Sequence, residues 1–247
     1  MSELIDVTFD FRMDTPLGGD PDALSPTLRR YHQLLWGRHL PSGKSFDLDA
    51  SGPIRSRYLY HSSDLGEFTL KSDSVIQTFT RWVRMKHIVS HFPESENEAF
   101  RAIGYTIGGM MIWPGSSADG QRSINVVRGF RPEIADRMDL TVEGVRRYYA
   151  GELSPLTDVV KANATFFRLF SDFGEFIEHF LLQDLVSENY SQVRFFMDFD
   201  DFTGRSRPAD VETYREYRRR SVEFVRARNS RIKDVARHLQ TAVMESG

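Results

Sequence analysis

The stretch Tyr105-Thr106-Ile107-Gly108-Gly109-Met110-Met111-Ile112-Trp113-Pro114-Gly115 decides the fold class. Residues 105–113 carry no charge, are too few to cross a membrane, and are stopped by a Pro-Gly pair. A short apolar run bounded by turn residues reads as a buried strand. Glycine weakens a strand, so Gly108 and Gly109 imply close approach by another backbone or by a ligand. Upstream, Tyr58 to His61 and Glu67 to Leu70 read as short strands about a turn at Asp64-Leu65-Gly66. Further back, Ile5, Val7, Phe9 and Phe11 alternate with polar residues, the pattern of a half-buried strand. Between these lie two helix signals. Ser25-Pro26 starts a helix with Leu28, Tyr31, Leu34 and Leu35 on its apolar face, and Asp73 caps a second over residues 74–91. Downstream, a polar loop over residues 116–123 leads to Ile124-Asn125-Val126-Val127-Arg128-Gly129. Helices are expected late in 136–149, after Ser154-Pro155, through the Phe-rich 166–182 and over 210–242, with a last strand at 193–197. This order predicts a single α/β domain over residues 1–247. It is mainly helical, with a small central sheet in a layered α/β/α arrangement and a long basic C-terminal helix. The segment 203–208 is the one expected hinge.

Composition narrows the function classes. With no cysteine among 247 residues, disulfides, thiolate nucleophiles and cysteine-ligated metals are excluded. Nineteen phenylalanines predict a core packed with large flat side chains. No secretory signal or membrane span is visible, so a cytoplasmic protein is expected. The net charge of −3 is unevenly spread: residues 205–238 hold eleven Lys/Arg and five Asp/Glu, about +6, leaving about −9 elsewhere.

Several groups of residues can carry chemistry. If the sheet were an open α/β sheet, ligands would bind beyond the carboxyl end of the strand that leads to Pro114-Gly115. There Asn125 can read a base edge or orient a water, and Arg128 can hold a phosphate or carboxylate. The same residues also make sense as strand, turn and helix cap. Asp14, Asp20 and Asp22 follow the first predicted strand and suit either acid–base work or turn chemistry. Asp136, Arg137 and Asp139 cluster before a helix, where Asp136 can orient Arg128 or Asp139 can act as a cap. His87 and His91 have metal-ligand spacing but lack the zinc-protease glutamate, and Asp198, Asp200 and Asp201 read as a polar turn. No metal or cofactor is expected, and no Walker, dinucleotide or Gly-x-Ser-x-Gly motif occurs. On the C-terminal helix, Arg218, Arg219, Arg220 and Arg228 interleave with Tyr214, Tyr217 and Phe224. They can grip phosphates beside stacked bases, or form a solvated face over an inward aromatic stripe.

The segments Phe9 to Pro16, Ser25 to His32, Ile107 to Gly115, and Arg128-Gly129 through Asp136 to Thr141 resemble a bacterial family catalogued as a domain of unknown function. The resemblance spans nearly the whole chain and extends to phage-defence DNA glycosylases that excise glucosylated hydroxymethylcytosine. Ile112-Trp113-Pro114-Gly115 is similar, more distantly, to the strand and Asn-Pro-Gly motif of uracil-type glycosylases, with Trp113 where a water-activating Asn or Asp would stand. The closing His-Pro-Ser motif of those enzymes has only a loose echo, His39-Leu40-Pro41-Ser42. The resemblance implies hydrolysis of an N-glycosidic bond in phage DNA, leaving an abasic site, with the base flipped into a roomy pocket. Asn125, Asp14, Asp20 and Asp136 would be catalytic; Trp113, Met111, Gly109 and Pro114 would line the base pocket. Arg128, Arg218, Arg219, Arg220 and Arg228 would contact DNA. The competing expectation is a non-enzymatic or toxin-like domain that binds nucleic acid or protein.

Overall fold

Three strands pair antiparallel in the order β1 (Leu59–Ser63), β2 (Gly66–Ser74), β3 (Met110–Pro114), with Tyr60 opposite Thr69 and Ser72 opposite Ile112. The protein is seen here as a computed structural model that describes residues 4–54, 57–115, 123–204 and 206–245; the expected loop residues 116–122 lie outside them. Around the sheet stand α1 (Pro21–Leu24), α2 (Pro26–Trp36), α3 (Lys86–Val89), α4 (Glu94–Gly104), α5 (Ile124–Phe130), α6 (Met138–Ala150), α7 (Thr157–Ala162), α8 (Ala164–Phe167), α9 (Phe173–His179) and α10 (Val211–Glu245). The result is a mainly helical, mixed α/β fold with a small sheet and a long C-terminal helix. Because the sheet is wholly antiparallel, it offers no crevice of the parallel-sheet kind beyond β3. No described helix is long and apolar enough to cross a membrane.

Several expectations are corrected. Residues 5–11 form no strand, because two aspartates compete for the backbone. Asp6 accepts from Thr8 N at 2.8 Å and Asp10 from Arg12 N at 3.0 Å, and the chain passes into a 3-10 turn at Phe11–Asp14. Ile5 and Phe11 are nonetheless buried, so the apolar pattern marks core contacts without a ladder. Residues 74–91 are not one helix. The ladder to Met110–Ile112 carries β2 through Asp73 to Ser74, and only Val83–Met85 and α3 are helical. Residues 193–197 make a single bridge, Val193 to Val186. The expected hinge is tied down: Ser206 donates to the Glu133 carbonyl, and Arg137 Nη1 donates to the Ser206 carbonyl at 3.1 Å.

The glycines before β3 admit backbone. A Cβ on Gly109 would lie 2.1 Å from the Gly104 carbonyl oxygen, and one on Gly108 would lie 2.6 Å from the Val225 carbonyl oxygen of α10. Gly108 N donates to Asn229 Oδ1 at 2.7 Å, and Arg228 Nη1 donates to the carbonyls of Gly108 (3.0 Å) and Met110 (2.6 Å). The phenylalanines behave as their abundance suggests. Phe166, Phe170, Phe176 and Phe180 form a mesh, with Phe176 and Phe180 ring centroids 5.0 Å apart. Each such pair contributes about 0.5–1.5 kcal/mol beyond its burial.

Candidate functional site

The polar end of β2 is built from within the core. Trp36 Nε1 donates to His32 Nδ1 at 3.0 Å, so His32 Nε2 carries the proton and donates to Ser72 Oγ at 3.0 Å. Burial, reinforced by the Arg228 charge, holds His32 neutral, its pKa down at about 3. This chain fixes β2 one residue before Asp73. Asp73 Oδ1 accepts from Ser74 N at 3.0 Å, and its Oδ2 accepts from Arg128 Nη1 at 2.7 Å.

Arg128 is fully buried, and its guanidinium gathers the rest of the site. Nε donates to Thr141 Oγ1 (3.1 Å), Nη1 also reaches the Ser74 carbonyl (3.2 Å), and Nη2 donates to the Asp136 carbonyl (3.0 Å). In return Asp136 N donates to the Arg128 carbonyl at 3.1 Å. This reciprocal pair holds Ala135 and Asp136 at φ 50° and 60°, left-handed conformations that cost a non-glycine residue roughly 1–3 kcal/mol each. Asp136 Oδ1 then lies 3.4 Å from Arg128 Nε, and its Oδ2 accepts from Gln77 Nε2 at 3.1 Å.

Asp22 completes the group from α1, which packs on β2. Burial drives its carboxyl well above the usual range, and the charges of Asp73, Asp20 and Asp136 push the same way. Asp73 is pushed up to about 7, by burial first and by Asp136, against the pull of Arg128; Asp136 is raised by burial. Like-charged carboxylates near one another cannot all ionise cheaply, and all three shifts run in that direction. Of the eight shielded side-chain atoms without a hydrogen-bond partner among the described residues, four belong to this group: Asp22 Oδ1, Asp136 Oδ1, Asn125 Oδ1 and the hydroxyl of Tyr58. Tyr58 is 2% exposed, and the Asp22 charge, after burial, raises its pKa. A buried polar atom without a partner costs about 1–3 kcal/mol.

Of the residues expected from sequence, Asn125, Asp136 and Arg128 come together here. Asn125 Nδ2 donates to the Ser72 carbonyl at 3.1 Å, which leaves its Oδ1 to the site. Asp20 stands exposed at the start of α1 with no capping bond, close enough for its charge to act on Asp22. Asp14 is spent on structure, accepting from Ser25 Oγ (2.6 Å) and Thr27 N (2.9 Å) at the start of α2. The expected base pocket is corrected. Trp113 is fully buried and stacks on Phe176 at 6.4 Å, while Met111, Gly109 and Pro114 are packed in the core.

Of the five arginines expected at DNA, Arg128, Arg218 and Arg228 are buried and Arg219 and Arg220 are exposed. Arg128 is enclosed. Arg228 is fully buried and binds backbone carbonyls. Arg218 donates to Asn97 and the Glu96 carbonyl, its guanidinium 4.4 Å from the Phe92 ring centroid. Arg219 and Arg220 are exposed but both pair with Glu216, and Arg219 also pairs with Glu223. The other clusters stay structural: Arg137 pairs with buried Asp139, and Asp201 pairs with Arg147. No group of three or more metal-ligating side chains occurs among the described residues.

Sequence reasoning missed three participants. Asp73 reads as a helix cap, Tyr58 as an ordinary strand residue and Gln77 as a helix residue; only the register of β2 against β3 reveals Asp73. Asp22 was visible as one of three aspartates but not separable from them. The chain belongs to the family of unknown function DUF6994, whose family model matches residues 5–232. No curated protein and no solved structure matches it.

Proposed function

We propose that the chain is a hydrolase that cleaves a glycosidic bond with paired carboxyl groups. The substrate to which the sequence resemblance points is the N-glycosidic bond of a glucosylated hydroxymethylcytosine in phage DNA. The observation that carries this reading is the pair of carboxyls on the buried Arg128, Asp73 and Asp136, with the charge of each acting on Asp22 and all three carboxyls raised by burial. Glycoside hydrolysis needs one carboxyl that keeps its proton and one that has lost it. Asp22, which burial and the charges of Asp73, Asp20 and Asp136 push towards the neutral form, donates a proton to the departing base. Asp136, next to Arg128 and Gln77, accepts a proton from the attacking water through its free Oδ1. Asn125 Oδ1 orients that water, and the Tyr58 hydroxyl donates to a sugar or base oxygen. Water thus adds across the C–N bond, giving free base and an abasic sugar, and the two proton transfers balance.

The test is incubation of glucosylated and unmodified DNA with the protein, scoring abasic sites and released base. Release from the modified DNA is expected. Asp22→Asn and Asp136→Asn should each lower the rate by about 100- to 10,000-fold, the range for loss of a general acid or base. Absence of release from any modified DNA overturns the reading. A second reading, a protein-binding domain without turnover, is favoured by the apolar groove between α5 and α7, lined by Val127, Phe130, Pro155 and Val159, where Phe130 is 80% exposed.

A further inference from the structure

Most arginines of α10 are committed to carbonyls and carboxylates, Arg226 being exposed without such a partner among the described residues, and a second segment carries a denser run of free positive charge. Residues 74–93 contain no Asp or Glu but hold Arg81, Arg84, Lys86, His87 and His91. Arg81, Arg84, Lys86 and His87 are all exposed, and Val83 between them is 76% exposed. Among the described residues none of Arg81, Arg84 and Lys86 has an acidic partner within ion-pair distance. Arg131, Arg168, Arg194 and Arg226 are exposed without an ion pair as well, but they are scattered along the chain, whereas these three fall within six residues.

The segment is also fastened to the carboxylate site. Gln77 gives its side-chain N–H to Asp136, takes the Phe79 N–H on its Oε1 at 3.0 Å, and donates its own backbone N–H to the Tyr217 hydroxyl at 3.0 Å. The Tyr214 hydroxyl donates to the Thr78 carbonyl at 2.6 Å, and Phe79, at φ 57°, turns the chain so that its ring meets Trp82 at 5.4 Å. Burial first, and then the charges of Asp22 and Asp20, raise the Tyr105 hydroxyl, against the pull of Arg81.

We infer that Arg81, Arg84 and Lys86 form the phosphate-contacting rim of a nucleic-acid interface beside the carboxylate site. An acidic site repels a phosphate backbone, so a substrate carried on DNA needs cations at its margin; three unpaired ones in six residues supply them. The inference rests on the proposed reading for its choice of partner, but its test does not need turnover. Binding of a short labelled unmodified duplex is measured by fluorescence anisotropy between about 50 and 200 mM salt. The wild type is compared with the triple variant Arg81→Gln, Arg84→Gln, Lys86→Gln and with Arg219→Gln, Arg220→Gln. Three lost phosphate contacts lower the salt slope by about 2.7, so the triple variant's affinity should change about forty-fold less across that range than the wild type's. The α10 variant should match the wild type. Equal binding by the triple variant, no DNA binding by the wild type, or preferential capture of anionic lipid vesicles overturns the inference. DNA binding through the strip without base release would instead sink only the hydrolase reading. Because all three side chains are exposed, an unchanged melting temperature is expected and confirms that the variant is folded.

Discussion

Asp73 makes the stability of this protein fall as pH rises. Its carboxyl sits at about 7 in the folded chain because burial, and the nearby Asp136, oppose ionisation more than Arg128 favours it. In the unfolded chain it returns to the model-peptide value of about 3.9. A group whose folded pKa is raised binds more protons in the native state, so its contribution is complete below about pH 4 and is lost as pH climbs through 7. Three units at 1.36 kcal/mol each give about 4 kcal/mol in total, of which about 3 kcal/mol falls between pH 5 and 8. Against a typical stability of about 5–15 kcal/mol this is a large share. Asp73→Asn keeps the shape and removes the titration, so its stability should vary with pH less steeply than the wild type's by that amount. Urea melts followed by tryptophan fluorescence at both pH values measure it directly. In thermal melts the same difference is about 6–12 °C for a chain of this size. Parallel pH profiles for the two proteins, or a wild type that gains on the variant as pH rises, would refute the argument.

Substitutions at three other positions separate packing from chemistry. Trp113→Ala should cost about 3–5 kcal/mol by cavity formation, with Trp113→Phe retaining whatever activity the wild type has, measured by melts and by the base-release assay. Gly109→Ala should fail to yield folded protein, because its Cβ would strike the Gly104 carbonyl oxygen at 2.1 Å, whereas Gly129→Ala in α5 meets nothing within 4 Å and should gain about 0.5–1 kcal/mol in a thermal melt. Activity on glucosylated DNA should follow a bell in pH, failing on the alkaline side as the Asp22 proton is lost and on the acid side as Asp136 gains one; a flat profile would exclude both roles.

Local signals carried most of the architecture. The Asp64–Gly66 turn, the Ser25-Pro26 start of α2 and the apolar stripe of α10 all stand where the residues place them. Failures arose where side chains compete with periodicity. Asp6 and Asp10 seize backbone N–H groups that a strand would need, and Asp73 answers to Arg128, 55 residues away, rather than to the helix it seemed to cap. The site was legible only in pieces. Asn125, Arg128 and Asp136 share a stretch of chain, but Asp22, Tyr58 and Asp73 join them through folding over distances that no spacing rule records. The basic helix misled for a different reason: charge counts ignore that Arg218 and Arg228 spend their donors inside the protein.

The bonds from Arg228 and Asn229 to Gly108 and Met110 join residues 118 to 121 positions apart. A chain emerging from the ribosome would therefore have made every strand residue long before the helix that seats β3 could reach it. Until then the apolar segment 107–114 waits without its cover, exposed to chaperones and to other nascent chains. The bonds that seat β3 can therefore form only once α10 has been made.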